Sequence, residues 1–439
     1  MEHTKNAVPK VISDPIVGNR WIQLIAGVVA MIVISNFQYA FTLFTPGLKQ
    51  TFATVPYAQI ALIFTLFILF ETWPVPVAGY LIDKFGIRNL MLVGSFGILL
   101  GWVLGGTVAT TLFHLYLCYG VLAGTGAGII YVATVANAVK WFPDKRGLAA
   151  GLTAAGFGGG AALTLIPVAA TIKALGWAGA MTAWGLGQGL VAIACSLILR
   201  HPPAGWLPAD WTLPKAVAQT KRQFTCTQML STREFYVMYA MFLMVCTGGL
   251  MTTGNMSQIA KSLAVSDAKI MGIAIVPFVA TVAGVTNAFA RIMWGSISDR
   301  FGREYTMGFA FAFEGVLIFL MTQITGHPIA FMVLMPFVFL AWGEIYALFS
   351  ALTGDVFGPK NASMNYGILY TAKGVSSILA GYGAALVAAH YAGSFQVPYY
   401  VAAVFDLAAA FLAVFVLRPG IRRCIAKEVW LGEPVGVTS

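Results

Sequence analysis

Twelve stretches of mostly apolar residues, each about twenty residues long, follow one another along this chain, and they leave it few possible folds. They run roughly over 21–44, 58–82, 90–109, 113–139, 147–170 and 178–199, and then over 235–256, 271–297, 307–324, 329–352, 364–389 and 397–417. Inside a bilayer every backbone N–H and C=O must be satisfied within the protein, so only helices and closed barrels can cross. Runs that are continuously apolar, rather than alternating, are helices. Only 10% of the 439 residues are charged, far below the quarter or so usual in soluble domains. The expected fold class is therefore an all-α integral membrane protein, with twelve transmembrane helices in two pseudo-symmetric six-helix bundles. The expected divisions are an N-terminal bundle at 1–199, a linker at 200–234, a C-terminal bundle at 235–417 and a tail at 418–439.

The net charge of +10 would fit a nucleic-acid binder, but the placement of the bases does not. Lys49, Lys173, Lys261 and Lys269 fall on one side of the apolar segments, and Arg291 and Lys373 fall inside them. The remaining Lys and Arg lie in the termini and connectors of the other side. That asymmetry marks the richer side as cytoplasmic, which puts both termini and the linker there, in a multi-pass protein of the cell (inner) membrane. The five cysteines (Cys118, Cys195, Cys226, Cys246, Cys424) have no paired spacing, so neither a disulfide framework nor a metal site is indicated. No cleavable signal peptide is expected, because the first apolar run is too long and no A-x-A-like site follows it. The five histidines form no H-E-x-x-H and no nucleophile–base constellation is visible in the helices. No enzyme activity, cofactor or metal is expected, and the bilayer is the expected partner of a monomeric chain.

The two halves repeat. Gly79-Tyr80-Leu81-Ile82-Asp83-Lys84-Phe85-Gly86-Ile87-Arg88 follows the second segment, and Gly295-Ser296-Ile297-Ser298-Asp299-Arg300-Phe301-Gly302-Arg303 follows the eighth. Both read G-x-x-x-D-(K/R)-x-G. Trp141-Phe142-Pro143-Asp144-Lys145-Arg146-Gly147 has a weaker echo in Val356-Phe357-Gly358-Pro359-Lys360. Internal repeats of this size indicate two bundles rocking about a central site. Asp83 and Asp299 can latch the halves through Lys/Arg or a helix N-terminus, or serve only, with Lys84, Arg88, Arg300 and Arg303, to set topology. Gly120, Gly124, Gly126 and Gly128, and Gly156 with Gly158–Gly160, permit close helix approach.

Arg291 and Lys373 are lone cations at membrane depth, where insertion of each costs about 2.5–3.5 kcal/mol. A small anion passing between bundles would neutralise them. Arg291 offers a planar fork that matches a carboxylate. Asn287, four residues earlier on the same face, is placed to buttress it. The alternative is an Arg snorkelling to the interface. Tyr366, Tyr370 and Lys373 share one helix face, a carboxylate site unless Lys373 is paired with a buried acid. Trp342 and Tyr346 are one turn apart in the tenth segment. Gln38, Tyr39 and Thr42 lie in the first and Tyr131 in the fourth. On composition alone such aromatics read as packing or interface anchors. Of the acids in the segments, Glu71 and Glu344 are either structural, neutral or paired, or proton-linked, because desolvation disfavours a buried charge. Glu314 and Asp406, in the ninth and twelfth segments, are expected to have no substrate role.

The paired loops and the six-plus-six layout resemble the major facilitator superfamily. Gly18-Asn19-Arg20-Trp21, Gln38-Tyr39, Trp141 through Gly147, Trp342-Gly343 with Tyr346-Ala347-Leu348-Phe349, and Asn365-Tyr366-Gly367 with Lys373 resemble its oxalate/formate antiporter family over about residues 18–417. The resemblance implies that Arg291 and Lys373 bind the anion, inside a cage formed by Gln38, Tyr39, Tyr131, Trp342 and Tyr346, to which Tyr370 is added as a site residue by its place on the Lys373 face. The chain departs from that pattern at Glu71, where the family has a neutral amide, and at Glu344, where it has a small residue. It departs also at Ala61 in place of a glutamine, and at Phe44 and Phe157 in place of tyrosines. The expected function is secondary transport of small organic anions by alternating access, as dicarboxylate/monocarboxylate exchange, with two bare cations resisting closure of an unloaded site. The alternatives are a proton-coupled monocarboxylate symporter, with Glu71 or Glu344 carrying the proton, and a non-transporting carboxylate receptor.

Overall fold

A computed structural model describes residues 19–142, 146–203, 222–343, 345–358 and 361–423. Its helices are labelled α1 to α12. In the first half, α1 is Arg20–Thr51, α2 Tyr57–Ile82, α3 Ile87–Thr107 and α4 Leu112–Trp141. Residues 146–175 form α5 and 177–198 form α6. In the second half, α7 is Arg233–Ser262, α8 Ile275–Phe301 and α9 Arg303–Met321. Helix α10 comes in two pieces, Pro328–Trp342 and Ile345–Phe357. Helix α11 is Met364–His390 and α12 Gln396–Arg423.

Several boundaries differ from the sequence reading. The connector expected at 171–177 is helical except at Gly176, whose φ of 71° breaks α5 from α6. The eighth segment starts at Ile275, because a short hairpin (β1 Lys269–Ile270, β2 Ile273–Ala274) precedes it. The linker holds a short helix, Cys226–Leu230, capped by a reciprocal Thr225–Gln228 box. The last helix runs past 417 into the expected tail.

The loop repeat is a repeat of backbone geometry. Gly86 and Gly302 close their loops with nearly equal angles, φ 83°, ψ 152° and φ 90°, ψ 150°. Only glycine enters that region without strain, so both hairpins turn by the same device. Gly79 and Gly295, the first residues of the motifs, have nothing within 4 Å of an added Cβ. Arg303 pairs with Asp355 at 3.2 Å and bonds the hydroxyl of Ser298, tying α9 to α10 within one bundle. Lys84, Arg88 and Arg300 are exposed. The side chains of Asp83 and Asp299 and all of Glu344 lie outside the described residues.

Small residues let the helices meet. An added methyl at Gly120, Gly124 or Gly128 on α4 would fall 2.7, 2.7 or 2.2 Å from atoms of α2, so that row of α4 is a groove holding α2 and, with it, Glu71. Gly126 packs on α3. Gly156 and Gly160 bring α5 against α1, while Gly158 and Gly159 face Asn287, Ala288 and Arg291 of α8. Helix α5 therefore packs within its own bundle on one side and across to the other bundle on the next.

On the side away from the loop motifs the bundles meet through neutral groups. Ser257 donates its N–H to the Thr42 hydroxyl (2.8 Å) and its own hydroxyl to the Thr42 carbonyl (2.6 Å). The Tyr57 hydroxyl donates to Asn255 (2.9 Å). Helix α11 contains a wide π-helical turn, Ile378–Gly383. There the Thr65 hydroxyl of α2 donates to the Ser377 carbonyl (3.0 Å) and accepts the Tyr382 N–H (3.0 Å). A side chain of one bundle is thus inserted into the hydrogen-bond ladder of the other. Gly381 makes room for it, since a methyl there would lie 2.3 Å from that hydroxyl.

Candidate functional site

The cations singled out from the sequence come together between the bundles. Lys373 is fully buried and Arg291 is 4% exposed, so snorkelling to the interface does not describe Arg291. Its guanidinium donates to the Ala154 carbonyl of α5 at 2.8 Å and lies 4.8 Å from the centre of the Tyr346 ring. The Lys373 ammonium is 5.6 Å from the same ring. Both cations thus face one tyrosine, at distances typical of cation–π contact.

Lys373 uses all three of its donors. It bonds Glu71 at 2.8 Å, Gln38 at 2.9 Å and the Tyr370 hydroxyl at 3.2 Å. Gln38 and Glu71 belong to the first bundle, so the ammonium of α11 is held across the interface. Both members of the Glu71–Lys373 ion pair are completely buried. This revises the expectation of two bare cations, because Lys373 carries its own counter-ion. The reason is geometric: the α4 glycine groove seats α2 deeply enough to bring mid-helix Glu71 to the interface. Among the described residues no carboxylate pairs with Arg291.

The aromatic residues form the walls. Tyr131 stacks on Tyr370 (5.5 Å between centroids, 10° between planes) and meets Phe157 edge-on at 5.6 Å. Tyr39 contacts Phe157 and Phe339. Trp342, Tyr346 and Tyr370 follow in edge-to-face contacts at 5.7 and 6.1 Å. Tyr366 stands on the same wall, in ring contact with Tyr370, and donates to the Tyr346 carbonyl (3.3 Å) without accepting from Lys373. Asn287 does not buttress Arg291. It donates to the Tyr39 hydroxyl at 2.8 Å, joining the bundles at another point.

Residues outside the expected site also take part, among them Phe157, which the sequence marked only as a departure from the family pattern. Phe157 lies 5.5 Å from the Lys373 ammonium, and Cys246 contacts the Tyr346 hydroxyl at 3.8 Å. The acceptor for Arg291 is a backbone carbonyl, which no side-chain pattern reports. Gly249 of α7 lets the Trp342 indole lie flat against it, since a methyl there would fall 2.2 Å from the ring. Several buried polar atoms at this centre have no hydrogen-bond partner among the described residues: Arg291 Nε, Gln38 Nε2, Trp342 Nε1, Glu71 Oε1 and Asn287 Oδ1. Three of the five are donors. Unsatisfied buried groups are costly, and such a set suits a polar, acceptor-rich guest.

Comparison with known proteins places the chain. The sequence profile described as Major Facilitator Superfamily matches residues 24–282 and 246–429. The chain belongs to the major facilitator superfamily. Among its relatives in the superfamily is the oxalate:formate antiporter of Oxalobacter formigenes, 32% identical over 422 residues, covering 95% of this chain and 96% of that protein. Monocarboxylate transporter 3 of Rattus norvegicus is 27% identical over 274 residues, 61% of this chain and 54% of that one. A crystal structure of a D-xylose–proton symporter shares the fold, with a TM-score of 0.72 at 12% identity, over 90% of this chain and 98% of that one. The protein is a multi-pass membrane protein of the major facilitator fold, and these relatives are transporters. In that fold the cluster around Tyr346 sits where the two bundles face each other, with Gln38, Tyr39, Glu71, Tyr131 and Phe157 from one bundle and Arg291, Trp342, Tyr346, Tyr370 and Lys373 from the other.

Proposed function

We propose that the protein is a secondary carrier of small organic anions that exchanges carboxylates, of the oxalate/formate type, by alternating access. The observation that carries this is the pair of buried cations meeting at the Tyr346 ring between the bundles, with Arg291 Nε, Gln38 Nε2 and Trp342 Nε1 beside them lacking partners among the described residues. A carboxylate accepts from a guanidinium fork and an amide at once, and its small body fits among aromatic faces. Because ligands come from both bundles, the substrate ties them together, and each half-cycle requires one face of the cluster to open while the other stays closed.

In this reading Arg291 and Lys373 are the primary anion ligands. Gln38, Tyr39, Tyr131, Trp342, Tyr346 and Tyr370 shape and line the seat. The loop-motif side is cytoplasmic, following the Lys/Arg bias, in an inner membrane, and the working unit is a monomer. A buried Arg with no acidic partner among the described residues disfavours closure of the site without an anion, which supports exchange.

The test is transport by purified protein in liposomes, with labelled carboxylates and with or without internal anion. Fast entry into loaded vesicles and slow entry into unloaded ones is expected. Rapid entry into unloaded vesicles, driven by an inward proton gradient, would replace exchange by symport. No uptake of any carboxylate would refute the assignment.

A further inference from the structure

Lys373 has three donors and all are engaged, one of them by a carboxylate from the opposite bundle at 2.8 Å. A substrate carboxylate therefore cannot take a full bond from this ammonium unless a present partner yields. Gln38 and Tyr370 are neutral, whereas Glu71 is the group chemically equivalent to the substrate itself. One Glu71 oxygen sits on Lys373 and the other has no hydrogen-bond partner among the described residues. The pair is fully buried, so removing the ammonium from Glu71 without compensation would leave an isolated charge at membrane depth, which is strongly unfavourable.

The charges at the centre have a simple sum. Arg291 and Lys373 contribute two positives and Glu71 one negative, which leaves one net positive charge. A monocarboxylate neutralises that by binding Arg291, with Glu71 left in place. A dicarboxylate brings two charges, and its second carboxylate needs the place that Glu71 holds.

We propose that Glu71 is an internal competitor for Lys373, and that it makes dicarboxylate binding require uptake of one proton while monocarboxylate binding requires none. This rests on the reading of Arg291 and Lys373 as the anion seat. The step is a proton transfer from solvent to a Glu71 oxygen. Lys373 keeps its own proton, exchanges the Glu71 carboxylate for the substrate's, and the site ends neutral in either case. The other titratable groups facing Glu71 are limited. Arg291 of α8 is the second cation acting on it, and the hydroxyls of Tyr39 on α1, Tyr131 on α4, Tyr346 on α10 and Tyr370 on α11 share its field. None of these is a carboxylate or an imidazole, so Glu71 is the group among them able to take up the proton.

The sign of the linkage follows. A ligand whose binding takes up a proton binds more tightly as pH falls, by about tenfold per unit over the window where uptake is complete. Two measurements test this. In the first, oxalate and formate are bound to the wild-type protein in weakly buffered detergent with a pH-indicating dye. About one proton taken up per bound oxalate and none per bound formate is expected, and oxalate binding without proton uptake overturns the proposal. In the second, oxalate and formate counterflow are compared between wild type and Glu71→Gln from about pH 7.5 to about pH 5.5, a window in which ordinary carboxyls stay ionised. The amide keeps an acceptor for Lys373 but not the charge. The variant should lose the acid stimulation of oxalate exchange and move its oxalate-to-formate preference by roughly tenfold toward oxalate. An unchanged preference and pH profile in an active Glu71→Gln protein also overturns it. If Glu71→Gln does not fold, the dye measurement on wild type decides alone. Failure of wild type to bind either anion would instead refute the anion seat, and this proposal with it.

Discussion

Arg291→Gln tests the anion seat most directly. In the structure the guanidinium is 4% exposed, holds the Ala154 carbonyl at 2.8 Å and faces Tyr346 at 4.8 Å. The substitution removes the charge and the fork but leaves a hydrogen-bonding amide. Truncating one member of a buried, hydrogen-bonded charge pair costs about 2–5 kcal/mol, which for a carboxylate ligand is a loss of about 30- to 5,000-fold in affinity. Arg291→Lys keeps the charge. It gives up the bidentate geometry and alters the cation–π contact with Tyr346, which is worth about 0.5–2 kcal/mol, so it should recover only part of the loss. Stability should move differently. Among the described residues no acid pairs with Arg291, and a buried charge without a partner is a burden on the fold, so the unliganded Arg291→Gln protein should melt no lower than wild type. The assay is thermal melting in detergent with and without carboxylate, beside counterflow in liposomes. Ligand at about a hundred times its Kd stabilises wild type by about 2.7 kcal/mol, and that gain should vanish in Arg291→Gln. Full ligand stabilisation in this variant, or a transport loss that only tracks loss of folded protein, would refute the reasoning.

Three further outcomes follow from packing and hydrogen bonding. Gly249→Ala puts a methyl 2.2 Å from the Trp342 ring, so it should cost about 1–3 kcal/mol of stability and weaken exchange, and Trp342→Phe in the same chain should relieve part of the cost in melting experiments. Thr65→Val deletes a hydroxyl that makes two bonds to α11, at about 0.5–1.5 kcal/mol each. Its thermal midpoint should fall, and a water-soluble thiol reagent should reach a cysteine placed at the α2–α11 contact faster than in the parent. Glu314 is fully buried and neither of its oxygens has a hydrogen-bond partner among the described residues, so Glu314→Gln should leave counterflow and melting near wild type, and a stability loss beyond about 2 kcal/mol would show that the carboxyl itself is needed there.

The fold was legible because a bilayer leaves the backbone no alternative, and twelve runs of the right length then dictate twelve helices. What the sequence misjudged were their ends. The stretch 171–175 carries Lys173 and looks like a connector, yet helix is indifferent to where the bilayer stops, and only Gly176 breaks it. Arg291 and Lys373 stood out for the same reason the helices did, as charges in an apolar medium. The aromatic wall did not, because a tyrosine in a membrane helix looks alike whether it faces lipid, a neighbour or a cavity. Only the family resemblance separated Tyr346 from Tyr305, which is 47% exposed. That Lys373 pairs with a buried acid stood as one of two readings, but the choice of Glu71 as that acid was beyond reach, since the two are 302 residues apart and one sequence carries no cross-bundle register. Asn287 shows the limit of spacing arguments. Four residues placed it on the face of Arg291, but a tyrosine hydroxyl from the other bundle offered the better acceptor.

The hydroxyl of Thr65 occupies the gap between Ser377 O and Tyr382 N, five residues apart along α11, and this changes what it takes to part the bundles there. Ordinary contacts, once separated, leave their polar groups to be rewetted. Here the withdrawing hydroxyl exposes a carbonyl and an N–H of the same helix that lie one π-turn apart and can bond each other. The two backbone groups can be satisfied from within their own helix, which lowers the cost of separation without removing it, since the Thr65 hydroxyl and the bond from the Ser377 hydroxyl to the Thr65 carbonyl are also given up. The adjustment falls four residues beyond Lys373, so a change in winding at this turn alters the rotation of the helix just where the ammonium is carried. Loosening on the far face and reorientation of the charge would then be two readings of a single change in helical pitch.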